Sequence, residues 1–309
     1  MNSDVTILKG TNSGAFGSNF LVSNGINVIP VKYHFRLARY LSFICHILKL
    51  YSPFLLNLFF SIDPKQFSNS PTIIIFDSSI KYYICGFLQK HHSDKKLILY
   101  FWNIITTKNK RQIAHLRHSW DIFSFSLDDC NKYNLKYNKL FFLIPKDFTT
   151  RFFEIKQDVF FAGKNKGRIN EIVRTMEEFD KTGISYKIIC TEINEKLYPN
   201  IFSKGIPYEE ILFEDMSSKA ILDINTDDEY GMTMREMEAL YFKKKLITNN
   251  AVIKDRDYYH ENNVFIIDYS KKHILEGLKD FLEKPFADID NEILESYSIE
   301  SWIQRFIDS

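Results

Sequence analysis

Short apolar runs alternate along this chain with stretches whose apolar positions recur every three or four residues. That alternation predicts parallel β-sheets with crossover helices. In the first half, strand-like runs fall near 5–10, 27–31, 72–77, 96–102, 121–125 and 139–145. Helical periods fit between them at 34–60, where Pro53 breaks the run, and at 79–91, 108–118 and 127–135. The pattern then begins again with a strand at 158–163 and a helix from about Arg168 to Lys181. Ile169, Ile172, Val173, Met176 and Phe179 share one face of that helix, and Gly183 stops it. Strands near 186–190, 220–224, 245–249 and 264–268 follow, with helices near 208–217, from Met234, at 271–283 and at about 289–307. The expectation is an α/β chain of two Rossmann-like domains with parallel sheets and a seam near 146–157. Ligands of open parallel sheets bind beyond the carboxyl ends of the strands, so two such sheets place a ligand in the cleft they face.

Composition narrows the partners. The 309 residues suffice for two domains, and 45% hydrophobic with 26% charged residues is a globular balance. A net charge of +1 gives no global basic field, so nucleic acid is not an expected partner. Aromatic residues make up 16%, which fits a large core, a partner surface or a membrane-facing surface. Cys45, Cys85, Cys130 and Cys190 are scattered without metal-ligand spacing, so free thiols in a reducing compartment are expected and no metal site is assigned. The first ten residues do not resemble a signal peptide. The apolar stretch 41–60 contains His46, Lys49, Pro53 and Asn57, against a spanning helix, so the expected location is cytoplasmic.

The candidate chemistry lies in loops that follow strands. Thr233 and Glu236 have capping-box spacing, which starts a helix near Met234 and puts Arg235 in its first turn. A cation where the helix already favours anions suits a phosphate. Gly163, Lys164, Lys166 and Arg168 form a second glycine-and-base loop at a helix start. It matches neither the Walker loop nor the dinucleotide fingerprint, and reads either as diphosphate binding or as a solvated basic turn. Glu238, at a half-buried position on the flank of the apolar stripe, is either an acceptor for ribose hydroxyls or an i,i+3 partner of Arg235 worth only about a few tenths of a kcal/mol. Glu236 is assigned to the cap, and Asp227, Asp228 and Glu229 form an acidic loop. In the first half, Asp77 either caps the next helix or acts as a general base. Trp102 and Asn103 suit a sugar ring, and the glycine loop after the first strand offers Asn12, Ser13 and Gly14 to an acceptor. The basic, apolar segment 34–60 either packs on the first sheet or rests on an anionic membrane.

The layout resembles GT-B glycosyltransferases. The resemblance is most specific at GMTMREMEALYFKKKLITNN (231–250), similar to the glycine turn, helix and strand of family-4-like enzymes, with E-A-L at 238–240. DVFFAGKNKGR and IPYEEILFEDMSSKAILDI resemble donor-domain elements, and WDIFSFSLDDCNKYNLKYN resembles segments of bacterial surface-polysaccharide proteins. The resemblance implies an acceptor domain at 1–150, a nucleotide-sugar donor domain at 151–285 and a C-terminal helix at 286–309 returning to the first domain. It implies donor contacts from Gly163, Lys164, Lys166, Arg168, Tyr208, Gly231, Met232, Thr233, Arg235 and Glu238, with base recognition near 206–209. Asp77, Arg235 and Glu238 are the implied catalytic set. The family's paired acids lie eight apart, which fits Asp228 and Glu236, whereas the E-A-L match selects Glu238. The implied activity is transfer of a sugar from a nucleotide-diphosphate donor to a lipopolysaccharide or capsule acceptor. No resident cofactor or metal is expected, since no D-x-D dyad stands where one is needed. A sugar-nucleotide epimerase and a non-catalytic nucleotide- or glycan-binding scaffold are the alternatives.

Overall fold

The computed structural model describes residues 4–10, 18–107, 109–144, 148, 152–226 and 231–309, without the side chains of Asn19 and Asn69. Parallel strands buried on both faces need near-continuous apolar runs. Those runs form β1 (Val5–Gly10), β2 (Val28–Val31), β3 (Thr72–Phe76), β4 (Lys96–Phe101), β5 (Asp121–Ser124) and β6 (Lys136–Tyr137). All five residues of β3 are buried, as are five of six in β4. The second set is β7 (Gln157–Lys164), β8 (Tyr186–Thr191), β9 (Ser218–Asp223), β10 (Lys245–Thr248) and β11 (Val264–Ile266).

Every strand pairing in both sheets is parallel. The first sheet runs β2-β1-β3-β4-β5-β6 and the second β11-β10-β9-β7-β8. Each order reverses direction once, between β1 and β3 in the first and between β7 and β9 in the second. These are the points where an open α/β sheet leaves a crevice at its carboxyl edge. The chain divides into one unit of Met1–Leu140 with Trp302–Ser309 and another of Phe141–Ser301.

Local chemistry sets the helix ends. Pro53 opens Pro53–Phe59 as its first helical residue, and Ser52 caps it by accepting from Leu55 N at 3.2 Å. Gly183 ends Ile169–Thr182 at φ 67°, a conformation glycine adopts without steric cost. Leu8, Ile73, Ile75 and Leu99 meet Tyr83, Phe87 and Leu88 of the helix Tyr82–His91 in the first core. In the second, Val159, Phe161, Leu222 and Ile247 meet Ile172 and Phe179. Trp302 and Phe306 of the helix Ile299–Ile307 pack on Tyr100 in the first unit, at ring distances of 5.1 and 5.8 Å.

Three expected elements differ. Among the described residues of the run 139–145 there is no further strand; β6 precedes it, and Phe142 instead makes an isolated parallel bridge with Ser298. The helix at 271–283 is confined to Leu278–Glu283. The segment 289–307 forms two helices, Asn291–Ser296 and Ile299–Ile307.

Candidate functional site

The crevice of the first unit gathers side chains from three strand ends. Lys9 stands on β1, Asp77 directly follows β3, and Trp102 and Asn103 follow β4. Asp77 accepts a hydrogen bond from Asn103 Nδ2 at 2.9 Å and a longer one from Trp102 N at 3.4 Å. Burial raises its pKa, and those donors together with the Ser78 amide and Lys9 oppose the rise. The helix Tyr82–His91 has no side-chain cap, so capping, one of the two roles open to Asp77, is not taken. Lys9 is 8% exposed and lies over the Phe76 ring at 3.8 Å and the Trp102 ring at 5.1 Å. Burial lowers its pKa to about 8 against the attraction of Asp77. A half-buried carboxylate held by donors beside a cation titrating near neutrality is equipped for proton transfer. Sequence reasoning passed over Lys9, because a lysine just before the end of VTILKG reads as an ordinary strand end. Asn12, Ser13 and Gly14 lie outside the described residues.

In the second unit the crevice lies between β7 and β9, and Arg168 spans it. Its Nε and Nη2 donate to Lys164 O at 3.1 and 3.0 Å, and Nη1 donates to Ile224 O just beyond β9. Gly163 makes room for this: a Cβ there would stand 2.8 Å from Arg168 Nη2. Lys166 (φ 47°) and Gly167 (φ 92°) turn the loop through the left-handed region, and Lys164 pairs with Glu192 at 2.6 Å. Across the crevice, Asn225 N donates to Asn249 Oδ1 at 2.7 Å, and Asn249 Nδ2 donates to Asn225 O at 2.9 Å. Thr233 joins this edge to the helix Met234–Tyr241. Its hydroxyl accepts from Glu236 N at 3.2 Å and donates to Asp223 Oδ2 at 2.8 Å. Gly231 is half-buried and Met232 buried just before it. Asp227, Asp228 and Glu229 lie outside the described residues.

Arg235 and Glu238 meet each other. Arg235 Nε stands 2.8 Å from Glu238 Oε2 and Nη2 2.9 Å from Oε1, while Nη1 is 3.6 Å from Asp215 Oδ1. Tyr208 Oη donates to the same Glu238 Oε1 at 2.9 Å. Glu238 and Asp215 are fully buried and the Arg235 side chain nearly so. Burial raises the pKa of Glu238, and raises that of Asp215 to about 6, with Arg235 as the main opposing influence on both. The guanidinium charge is therefore answered by two carboxylates inside the fold. At this burial, losing one partner costs about 3–5 kcal/mol rather than the few tenths of an exposed pair. Asp215, 20 residues from Arg235, carries no local signal that sequence reasoning could have used.

Glu236 does more than cap. The Thr233 backbone amide holds its carboxylate, which also accepts from Tyr258 Oη at 2.5 Å and from Asn250 Nδ2 at 3.4 Å. Burial raises its pKa to about 7, against the attraction of Arg256. Among the described residues, no group of three His, Cys, Asp or Glu is placed to hold a metal ion, and the four cysteines are free. No helix among them is long and apolar enough to cross a membrane.

No family model matches the sequence, and no curated protein is significantly similar to it. Solved structures are similar over nearly the whole chain. The Anabaena protein HepE, in complex with UDP and glucose, shares 8% identity at a TM-score of 0.59, covering 99% of this chain and 98% of that one. Sucrose-phosphate synthase from Thermosynechococcus elongatus shares 9% at 0.55, covering 99% and 97%. A glycosyltransferase from Rickettsia africae shares 9% at 0.53, covering 99% and 97%. With its sheets of six and five parallel strands, the chain has the GT-B fold.

Proposed function

We propose that the protein is a glycosyltransferase that moves a sugar from a nucleotide-diphosphate donor to a bacterial surface glycan of the lipopolysaccharide or capsule class. One observation supports the transferase part of this reading, an end-to-end likeness in fold to structures such as HepE in complex with UDP and glucose, while the acceptor class rests on the resemblance of residues 120–138. The donor is assigned to the carboxyl edge of the second unit. There the loop carrying Gly163, Lys164 and Lys166 and the start of the helix Met234–Tyr241 flank the crevice between β7 and β9. The two lysines offset the charge that develops on the departing diphosphate, and Arg168 fixes the loop that presents them.

Arg235 and Glu238 are assigned a positioning role in place of direct contact with the donor, because each is buried as the other's partner. Tyr208 belongs to the same group through its bond to Glu238. Asp77 is assigned as the general base of an inverting reaction. An acceptor hydroxyl oxygen attacks the anomeric carbon, its proton passes to Asp77, and the bond from that carbon to the diphosphate oxygen breaks with its electron pair leaving on the diphosphate. Trp102 and Asn103 hold the acceptor sugar beside Asp77, and peripheral membrane contact through 34–60 brings a lipid-linked acceptor within reach. The reaction needs no divalent ion.

The test is turnover of nucleotide-sugars with and without glycan acceptors, read as released nucleotide diphosphate and as product mass. Transfer that requires acceptor supports the reading. Isomerised donor without acceptor would identify an epimerase, and tight binding without any turnover would identify a scaffold.

A further inference from the structure

Between residues 5 and 62 the sequence contains no aspartate or glutamate, although the whole chain has 39 acidic residues. Lys32, Arg36, Arg39 and Lys49 fall within the last 31 residues of that stretch. The same segment holds the helices Ala38–Ile47 and Pro53–Phe59, which turn large apolar side chains outward. Leu37, Tyr40, Ile47, Leu48 and Phe54 are each between 60% and 73% exposed. Only Ala38 and Ser42 of the helix Ala38–Ile47 are buried, so much of its surface is left uncovered by the described residues. A contiguous exposed apolar face of this kind marks an interaction surface rather than scattered exposure.

Beside this helix lies a hollow of about 760 Å³ walled by Tyr33, Tyr40, Phe43 and Tyr82, into which Arg39 and Lys81 bring two cations. Neither has a carboxylate partner among the described residues, and Lys81 Nζ sits 5.7 Å from the centre of the Tyr33 ring. Burial and the neighbouring Arg39 both disfavour the charged form of Lys81, so an anion entering the hollow would be held by both cations. Aromatic rings with a polar tip, exposed aliphatic side chains and an acid-free basic rim are together the composition of a helix lying in the headgroup layer of an anionic bilayer.

We infer that the segment 32–60 docks the protein on an anionic phospholipid surface. Leu37, Ile47, Leu48 and Phe54 enter the acyl boundary, and Arg39 and Lys81 receive a lipid phosphate between Tyr33 and Tyr82. This deepens the reading given above and rests on it for the identity of the acceptor, which the same surface would deliver. A protein partner is the less suited occupant, because lysine is depleted at protein interfaces, whereas here Lys81 stands among the apolar groups of the hollow and Lys32 and Lys49 lie on the same basic segment.

The full chain is sedimented with phosphatidylcholine vesicles and with vesicles containing one third phosphatidylglycerol. Binding to nucleotide-sugars is measured on the same preparation, so that failure of docking and failure of the transferase reading are separate results. Binding to the anionic vesicles alone, weakened by raised salt, is expected. Each cation near such a surface is worth about fivefold in affinity, so Arg39→Gln with Lys81→Gln should lower vesicle affinity about 25-fold and leave nucleotide-sugar affinity unchanged. Leu37→Ser with Phe54→Ser should weaken binding at every salt concentration, and circular dichroism of each variant shows that it is folded. Several outcomes would overturn the inference: equal binding to both vesicle types, no binding by the folded chain, or an unchanged affinity in the Arg39→Gln/Lys81→Gln protein. Inorganic phosphate at millimolar concentration that stabilises the protein and abolishes vesicle binding would make the hollow a free-phosphate site instead. A concentration-dependent dimer dispersed by Leu37→Ser would make the face an interface between copies of this chain.

Discussion

Replacing Arg235 by methionine removes the one guanidinium that answers two carboxylates, both of which the structure leaves fully buried. Tyr208 continues to donate to Glu238, while Asp215 keeps its hydrogen bond with Glu238 and the attraction of Lys244. Breaking a buried ion pair from one side costs about 3–5 kcal/mol. That is a large share of the roughly 5–15 kcal/mol that holds a domain together. The loss should depend on pH with a definite sign. In the variant, both carboxyls have folded-state pKa values raised above their unfolded values near 4. The folded state then binds more protons than the unfolded one in that window, so stability falls as pH rises. The slope is roughly 1.4 kcal/mol per pH unit for each carboxyl that must take up a proton to fold. In the parent protein Asp215 is raised only to about 6, so its share of the fall ends there, whereas in the variant the fall continues to higher pH. Urea unfolding followed by circular dichroism at pH 5 and pH 8 measures this, read on whichever transition belongs to the second unit. The variant should lose several kcal/mol at pH 8 and much less at pH 5. Adding Glu238→Gln and Asp215→Asn should restore most of the loss at pH 8. A loss below about 1 kcal/mol that is the same at both pH values would refute the buried-cluster reasoning.

Three further outcomes follow from the same geometry. Turnover should show a bell-shaped pH profile, its rising limb displaced above the usual carboxylate range by Asp77 and its falling limb near pH 8 from Lys9; Lys9→Met should remove the falling limb and Asp77→Asn should reduce kcat at least 100-fold. Gly163→Ala should displace the Arg168 guanidinium from Lys164 O, costing about 1–3 kcal/mol in thermal unfolding and weakening donor binding more than acceptor binding. Chelation with EDTA should leave turnover unchanged, and recovery only on adding a divalent ion would overturn the metal-free mechanism.

Periodicity made the sheets legible, because strands such as β3 (TIIIF) are buried along their whole length and leave little room for another reading. The short run near Leu140 misled for a related reason. Phe141 and Phe142 are buried by packing, and burial looks the same in sequence whether or not a strand pairs there. Asp77, Trp102 and Asn103 were visible at the ends of predicted strands, and the structure brings them together at the carboxyl edge of the first unit. Lys9 was not visible in this way, because its placement beside Asp77 depends on β1 lying next to β3, an adjacency that chain order does not reveal. In the second unit the spacing of Arg235 and Glu238 was visible, but their burial came from Asp215 and Tyr208 on another helix. Local spacing therefore identified the pair and misjudged its surroundings: a charge placed for a phosphate in the sequence is already neutralised in the fold.

The central claim is that the second unit holds a nucleotide-diphosphate sugar at its carboxyl edge. A thermal-shift panel of nucleotide-sugars tests it most directly. A true donor at about 100 times its dissociation constant should add about 2.7 kcal/mol of stability, and Lys164→Gln with Lys166→Gln should abolish most of that gain. A panel in which no nucleotide-sugar stabilises the folded protein would contradict the account.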